Sequence, residues 1–161
     1  MKYKLTNKTR VINGITLYQI QALINFKIVK AGDLGGWIES EYNLSQEGNC
    51  WVFGDAKVYD NARVFGNAEV YGNAWVYGNA RVYGNAWVYD NARVCEFAWV
   101  FGDAKVYGIT KVYGYARVYG DSRVYGDAEV YDNTTVFGNV RIYGNEKING
   151  NIKVSCNADI K

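Results

Sequence analysis

The residues that could carry chemistry in this chain are few, and one type is missing. The 161 residues include no histidine, three cysteines and 16 acidic residues. Histidine is the most frequent general base in proteins, because its pKa lies near neutrality. Its absence predicts that the chain is not an enzyme, and no residue cluster indicates a cofactor or a metal ion.

The cysteines Cys50, Cys95 and Cys156 form an odd set without metal-type spacing. Only Cys95 suggests a nucleophile, and the neighbouring Glu96 would oppose formation of its thiolate. We expect free thiols in a reducing compartment, and hence a cytoplasmic protein. The net charge of +2 and the lack of a long apolar run indicate neither a strongly charged partner nor a membrane.

Many of the acidic residues fall at positions where a short repeat otherwise places asparagine, namely Asp55, Asp103, Asp121 and Asp127. The repeat is visible in VYGNAWVYGNARVYGNAWVYD, residues 70–90. Every sixth residue from Val52 to Ile160 is Val or Ile, in 19 of 19 positions. From Phe53 to Tyr143 the residue after it is aromatic in 15 of 16 units, with Cys95 as the exception. The corner acids are therefore interpreted as turn residues.

Each unit, Ala-x-Val-Tyr-Gly-Asn, predicts a short strand followed by a corner. Side chains alternate between the two faces of a strand, so Ala and Val share the inner face while x and Tyr share the outer face. Gly and Asn tolerate the positive φ that a tight corner needs. Strands from successive coils then pair at about 4.8 Å and bury columns of Val and Ala.

The repeat resembles that of the YdcK-like β-solenoid family, which is often encoded by phages or prophages. The resemblance covers residues 28–161 and is most specific in AGDLGGWIE at residues 31–39, followed by VYGNA units. It implies an all-β, single-stranded left-handed parallel β-helix with three hexapeptides per coil and about six three-sided coils. Related hexapeptide proteins are often acyltransferases with a catalytic histidine and protruding loops. Since this chain has neither, an acyltransferase-like protein that has lost its histidine remains an alternative.

Three segments are predicted. Residues 1–27 break the repeat, and Asn13-Gly14 between apolar residues indicates a β-hairpin that caps the solenoid. Residues 28–50 form an irregular first coil with Leu34, Ile38 and Leu44 as core candidates. Residues 51–161 form the hexapeptide solenoid.

An 18-residue coil sorts the outward x residues onto three faces. The first face carries Trp51, Glu69, Trp87, Lys105, Arg123 and Arg141. The second face carries Lys57, Trp75, Arg93, Lys111, Glu129 and Lys147. The third face carries Arg63, Arg81, Trp99, Arg117, Thr135 and Lys153.

Departures from the repeat indicate where function resides. Phe97 and Tyr115 replace the corner asparagine in two successive coils beside the third face. The predicted interaction patch consists of Phe97, Trp99, Phe101, Tyr115, Arg117 and Tyr119. A contiguous apolar patch is typical of an interface, which favours a protein-binding or self-assembling structural module, either binding a host protein or forming part of a virion. Nucleic-acid binding is disfavoured by the neutral solenoid, and glycan binding on the aromatic faces is a further alternative.

The C-terminal coil suggests a second contact surface. Its core residues Ile148, Val154 and Ile160 have no following segment in this sequence to cover them. We expect a homo-oligomer, either an end-to-end dimer through these residues or a lateral trimer through the third face.

Overall fold

The computed structural model describes residues 1–161 and contains β-strands, one 3₁₀ turn at Glu41–Asn43 and no α-helix. Three longer strands come first: β1 at Tyr3–Ile12, β2 at Ile15–Ala22 and β3 at Leu34–Ile38. The remaining strands have two residues each and recur every six residues: β4 Trp51–Val52, β5 Lys57–Val58, β6 Arg63–Val64, β7 Glu69–Val70, β8 Trp75–Val76, β9 Arg81–Val82, β10 Trp87–Val88, β11 Arg93–Val94, β12 Trp99–Val100, β13 Lys105–Val106, β14 Lys111–Val112, β15 Arg117–Val118, β16 Arg123–Val124, β17 Glu129–Val130, β18 Thr135–Val136, β19 Arg141–Ile142, β20 Lys147–Ile148, β21 Lys153–Val154 and β22 Asp159–Ile160.

Every third short strand joins the same parallel sheet, so the chain forms a three-sided β-solenoid. The first-face sheet runs from β4 to β22, the second-face sheet from β3 to β20, and the third-face sheet from β6 to β21. A bridge from Leu44 to Val64 adds the irregular first coil to the third face. The stack has about seven turns, which confirms the predicted all-β solenoid.

Partners in adjacent coils are 18 residues apart, as the period requires. Trp75 lies opposite Arg93, and Val76 lies opposite Val94. The backbone N–H of Trp75 donates to the carbonyl of Ala92 at 2.9 Å, and that of Tyr77 to the carbonyl of Val94 at 3.0 Å. This ladder satisfies the backbone of each two-residue strand, which on its own would be far too short to be stable.

The core is one continuous cluster of 37 buried residues, made of the Val and Ala columns and the first coil. Val76, Val94 and Ala92 have no exposed surface. Ile38 and Leu44 are also fully buried, as predicted, whereas Leu34 is 57% exposed and the prediction for it is wrong. Leu34 begins β3 beside Gln21, at the pairing with the hairpin rather than with the solenoid core.

The N-terminal segment forms the hairpin that Asn13-Gly14 indicates. Both turn residues have positive φ, +51° and +81°, and β2 then pairs antiparallel with β3. The hairpin also packs on the outer side of the second face, where Leu17 forms a small buried cluster with Trp37 and Tyr59. Lys2 anchors the chain terminus, since its ammonium group donates to the carbonyl of Cys50 at 2.9 Å.

The N-terminal segment also covers the start of the first face. The alternation of side chains along a strand would predict that the outward residues there are exposed to solvent. Trp51 is 1% exposed, because Tyr3 and Phe26 pack edge-on against it at 6.0 and 5.4 Å between ring centroids. Lys27 forms an ion pair with Glu69. On the first face the outward position is therefore buried in the first coils, at Trp51 and Glu69, and becomes more exposed further along the stack.

No element of this structure is a helix with the length and apolarity that crossing a bilayer requires.

Candidate functional site

The outward aromatic residues form stacked ladders along each face. On the third face Phe65, Tyr83, Phe101, Tyr119 and Phe137 follow one another with centroid separations of 4.7, 4.8, 4.6 and 5.3 Å. The rings are nearly parallel, at 1–10°. Each inner ring of the ladder stacks on a neighbour with both of its faces, so the ladder itself accounts for a repeated aromatic residue.

The first face carries an equivalent ladder. Tyr71, Tyr89, Tyr107, Tyr125 and Tyr143 stack at 4.9, 4.7, 4.9 and 5.2 Å. Burial against neighbouring rings raises the pKa of Tyr71 to about 12. Tyr71 therefore remains neutral well above physiological pH.

Cationic side chains cover the outward tryptophans. The guanidinium groups of Arg81 and Arg117 lie 5.1 and 4.9 Å from the ring of Trp99, in the coils below and above it. Trp75 is flanked in the same way by Lys57 and Arg93, each at 5.3 Å. Such cation–π contacts stabilise the outer surface and leave little free ring face.

Phe97 and Tyr115 depart from this arrangement. They stack on each other at 5.0 Å and 7°, yet Phe97 is 47% and Tyr115 59% exposed. Within residues 51–161 they are the only exposed aromatic residues. Asn79 and Asn133 occupy the same corner column in the flanking coils, so the fold does not require an aromatic residue there.

The structure brings the six predicted patch residues together in two successive coils. Pairing of β12 with β15 sets Trp99 opposite Arg117, and Phe101 stacks on Tyr119 at 4.6 Å. Trp99, Phe101 and Tyr119 are only half-exposed. The patch thus consists of an open corner pair, Phe97 and Tyr115, beside a firmly packed part of the third face.

The third face is cationic. None of its outward cations takes part in an ion pair, since the four salt bridges involve Arg10–Asp55, Lys27–Glu69, Lys111–Glu129 and Lys147–Glu129. The outward cations of this face are Arg63, Arg81, Arg117 and Lys153. No acidic residue occupies an outward strand position on this face. A partner with negative charge would meet no repulsion there.

Acidic residues at the corners have a structural role that the repeat did not reveal. Glu96 has a φ of +57°, a conformation usually left to glycine. Its carboxylate accepts a hydrogen bond at 2.9 Å from the backbone N–H of Gly114, one coil further on. Asp60 accepts in the same way from the N–H of Gly78 at 3.0 Å. The acidic residues at this corner thus form hydrogen bonds with the backbone of the next coil.

The largest concavity is a polar groove of about 390 Å³ between the third and first faces. It is lined by Lys27, Asn67, Asn85, Trp87, Asp103, Lys105, Asp121 and Arg123. On one wall an amide ladder runs from Asn67 to Asn85 at 3.1 Å and ends on Asp103 at 3.0 Å. Asp103 and Asp121, corner acids that the repeat predicts to be turn residues, therefore line a groove together with cations.

The thiols of Cys50 and Cys95 are poorly suited to nucleophilic attack. Burial raises the pKa of Cys95, and Glu96 adds to that effect. Burial also raises the pKa of Cys50, although the Lys2 ammonium lies 3.3 Å from its sulfur and opposes the shift. Both groups are protonated at neutral pH, and thiolate is the reactive form.

At the other end of the stack Ile148 is 9% exposed, whereas Val154 and Ile160 are half-buried. The three residues lie on the last strand of their respective sheets. Ile148 is thus more completely covered than its place in the sequence predicts. A dimer or trimer contact through this coil or the third face stays a prediction.

Comparison with known proteins confirms the resemblance drawn from the repeat. Residues 56–72 and 74–90 each match a family model described as the YdcK Beta solenoid repeat. The relative named Uncharacterized acetyltransferase YdcK, from Escherichia coli (strain K12), is 38% identical over 77 residues. That alignment covers 38% of this chain and 24% of the relative, so the chain matches only about a quarter of the relative's length.

The relative's name overturns the prediction that the chain is not an enzyme. That prediction depended on a single residue type as the general base. Carboxylate, lysine, tyrosine and cysteine side chains also serve as general acids or bases, and this chain carries all of them. The absence of histidine was therefore too weak an argument against catalysis.

Proposed function

We propose that this chain, a YdcK-like β-solenoid, binds another protein through the corner pair Phe97–Tyr115 and the adjoining third face. The observation that carries the proposal is the exposure of two stacked aromatic rings in a column where Asn79 and Asn133 also fit. Apolar groups exposed without a structural need are typical of interaction sites. Aromatic residues and arginine, the types found here, are also enriched at the energetic centres of protein interfaces.

The stacked ladders favour a protein over a nucleic acid or a glycan as the partner. Bases and sugar rings bind by stacking on the free face of an aromatic side chain. On the third face the inner rings of the ladder lie against their neighbours on both sides, and Trp99 lies between Arg81 and Arg117. Protein interfaces are enriched in aromatic residues and arginine, and the patch presents both, in Phe97, Tyr115 and Arg117.

The test compares the natural chain with the double variant Phe97→Asn, Tyr115→Asn, which restores the corner consensus. Proteins from a bacterial lysate that the natural chain retains and the variant does not are identified, purified and measured by calorimetry. We expect the variant to lower the affinity at least tenfold, about 1.4 kcal/mol. Equal affinity for both chains would refute the proposal. The matched control Asn79→Ser changes the same column without altering apolar exposure.

Only the resemblance to a family that is often encoded by phages or prophages suggests what kind of partner is bound. A host protein bound by a phage or prophage product and a component of a virion both stay predictions, as does assembly with further copies of the chain. Neighbouring tail genes would favour the virion role, and early or accessory genes the host-directed one. Light scattering of the natural chain and the double variant tests self-assembly: dissociation caused by the variant would make the partner a second copy.

Acetyl transfer is a second candidate function, favoured by the name of the E. coli relative. The polar groove would be the site. Lys105 and Arg123 would contact the phosphates of an acetyl-CoA donor, and Asp121 would supply a carboxylate base in place of histidine. Calorimetry with acetyl-CoA tests this function, and Asp121→Asn should reduce turnover while leaving donor binding intact. Absence of acetyl-CoA binding would reject it.

A further inference from the structure

Three consecutive cations lie in one column on the first face. Strand pairing sets Lys105 opposite Arg123, and Arg123 opposite Arg141, in successive coils. Neighbouring strands are about 4.8 Å apart, and like charges directly opposite each other destabilise a sheet. None of the three side chains forms an ion pair, since the four salt bridges join other residues. The column therefore carries a repulsion that no ion pair relieves.

The second face shows that the fold does not require such a column. In the same three coils its outward residues are Lys111, Glu129 and Lys147. The carboxylate of Glu129 lies 3.2 Å from the Lys111 ammonium and 3.9 Å from that of Lys147. The architecture thus accepts alternating charges, and an arginine at the equivalent position of the first face indicates a function other than stability.

The cations line a continuous groove that runs along the stack. Lys105 and Arg123 line the groove of about 390 Å³ together with Asp103 and Asp121. Each acid precedes a cation by two residues, so the acids form the neighbouring column on the same side of the strands. Arg141 lines a second concavity of about 170 Å³, which extends the groove by one coil.

The groove offers two kinds of polar group to a ligand. The carboxylates of Asp103 and Asp121 are exposed, and only one oxygen of Asp103 is engaged, by the amide of Asn85 at 3.0 Å. A ligand with anionic groups alone would be repelled by these acids. A ligand with hydroxyl groups alone would leave the cations without counter-charge. The best match carries both carboxylates and hydroxyl donors.

We infer that the groove binds a linear acidic polysaccharide of the uronic acid class. Its carboxylates pair with Lys105, Arg123 and Arg141, because cations, and arginine above all, form strong charge-assisted hydrogen bonds with carboxylates. Its hydroxyl groups donate to Asp103 and Asp121, since an ionised carboxylate only accepts hydrogen bonds. The inference goes beyond the proposed protein binding and does not depend on it. It uses charged groups of the groove and no stacking on aromatic ring faces.

The test is calorimetry of the full chain at low ionic strength with three ligands. Oligogalacturonate carries carboxylates and hydroxyls, its methyl ester keeps the hydroxyls without the charge, and oligoglutamate keeps the carboxylates without the hydroxyls. We expect saturable binding of oligogalacturonate alone, weakened by added salt. Absence of that binding, or equal binding of either control ligand, would overturn the inference. Binding of acetyl-CoA without binding of oligogalacturonate would also overturn it.

Arg123→Glu tests the cation column without endangering the fold, because it recreates the alternation seen at Glu129. We expect the affinity for oligogalacturonate to fall at least tenfold, while the urea midpoint stays equal or rises. The matched control Lys153→Glu makes the same change in charge at an exposed position of the third face and should keep the natural affinity. Natural affinity in Arg123→Glu would refute the role of the column.

Asp121→Ala tests the acid column by the sign of its effect. Removing a negative charge strengthens binding at a simple anion site, whereas loss of a hydroxyl acceptor weakens it. We expect weaker binding, and equal or tighter binding would overturn the inference. The double variant Phe97→Asn, Tyr115→Asn should bind oligogalacturonate as the natural chain does. The groove and the corner pair therefore succeed or fail separately.

Discussion

At the scale of single residues, the corners show why acids and glycines alternate in one column. The residues after the second-face aromatic position are Asp60, Gly78, Glu96, Gly114 and Asp132. The three acids have positive φ, and Asp60 and Glu96 accept a hydrogen bond from the glycine N–H one coil further on. A Cβ on Gly114 would lie 2.7 Å from the nitrogen of Asp132. Every acid is thus followed by a glycine that leaves room for it.

This arrangement predicts different costs for the same substitution at two corners. Gly102→Asp lies below Gly120, so its carboxylate can accept the N–H of that glycine as Glu96 does from Gly114. Gly114→Asp would lie between Glu96 and Asp132 and set three successive negative charges in one column, and its Cβ would approach the Asp132 nitrogen to 2.7 Å, against 3.0 Å from the Gly120 nitrogen at Gly102. We expect urea unfolding to show Gly114→Asp less stable than Gly102→Asp by at least about 1 kcal/mol. Equal stability of the two variants would contradict this account of the corners.

At the scale of elements, the ladders make the stability of the solenoid depend on neutral tyrosines. Burial raises the pKa of Tyr59 and of Tyr71 to about 12, against about 10 in an unfolded chain. A side chain whose pKa is higher in the folded than in the unfolded chain stabilises the folded state fully below pH 10. This contribution to the free energy of unfolding is lost as the pH rises towards 12.

The urea midpoint should therefore be constant up to about pH 9 and fall between pH 10 and 12. Tyr71→Phe removes one titrating group but keeps the ring, as Phe101 does on the third face. Its midpoint should decline less over the same interval. An identical decline in the natural chain and in Tyr71→Phe would contradict a role for this tyrosine.

Much of these elements could be predicted from the sequence, because a six-residue period places every strand, core residue and corner by local rules. Val94 and Ala92 are buried as the alternation requires. Trp51 and Leu34 could not be placed in this way. Their burial and exposure depend on how the N-terminal hairpin packs on the outside of the solenoid, a contact between segments that no period encodes. The patch could be predicted from departures in the repeat, because Phe97 and Tyr115 stand where Asn79 and Asn133 stand in the flanking coils.

At the scale of the whole molecule, each coil contacts only the coils next to it, so stability should depend on coil number. Deletion of residues 73–90 removes one full coil and joins Gly72 to Asn91, an intact corner. We expect this chain to fold with an unchanged circular dichroism spectrum per residue. Deletion of residues 75–90, two residues fewer, places corners against strands and should prevent cooperative folding. Equal behaviour of the two deletions would contradict the 18-residue coil as the folding unit.

The central claim is that Phe97 and Tyr115 serve binding and are not needed for the fold. Equilibrium urea unfolding of the double variant Phe97→Asn, Tyr115→Asn tests it most directly. The lost ring stack is worth about 0.5–1.5 kcal/mol, and the gain from removing exposed apolar surface at a corner that accepts asparagine offsets it. The account predicts a free energy of unfolding within about 1 kcal/mol of the natural chain. A loss of about 3 kcal/mol or more, as for truncation of a buried aromatic residue, would show that the pair is structural and contradict the claim.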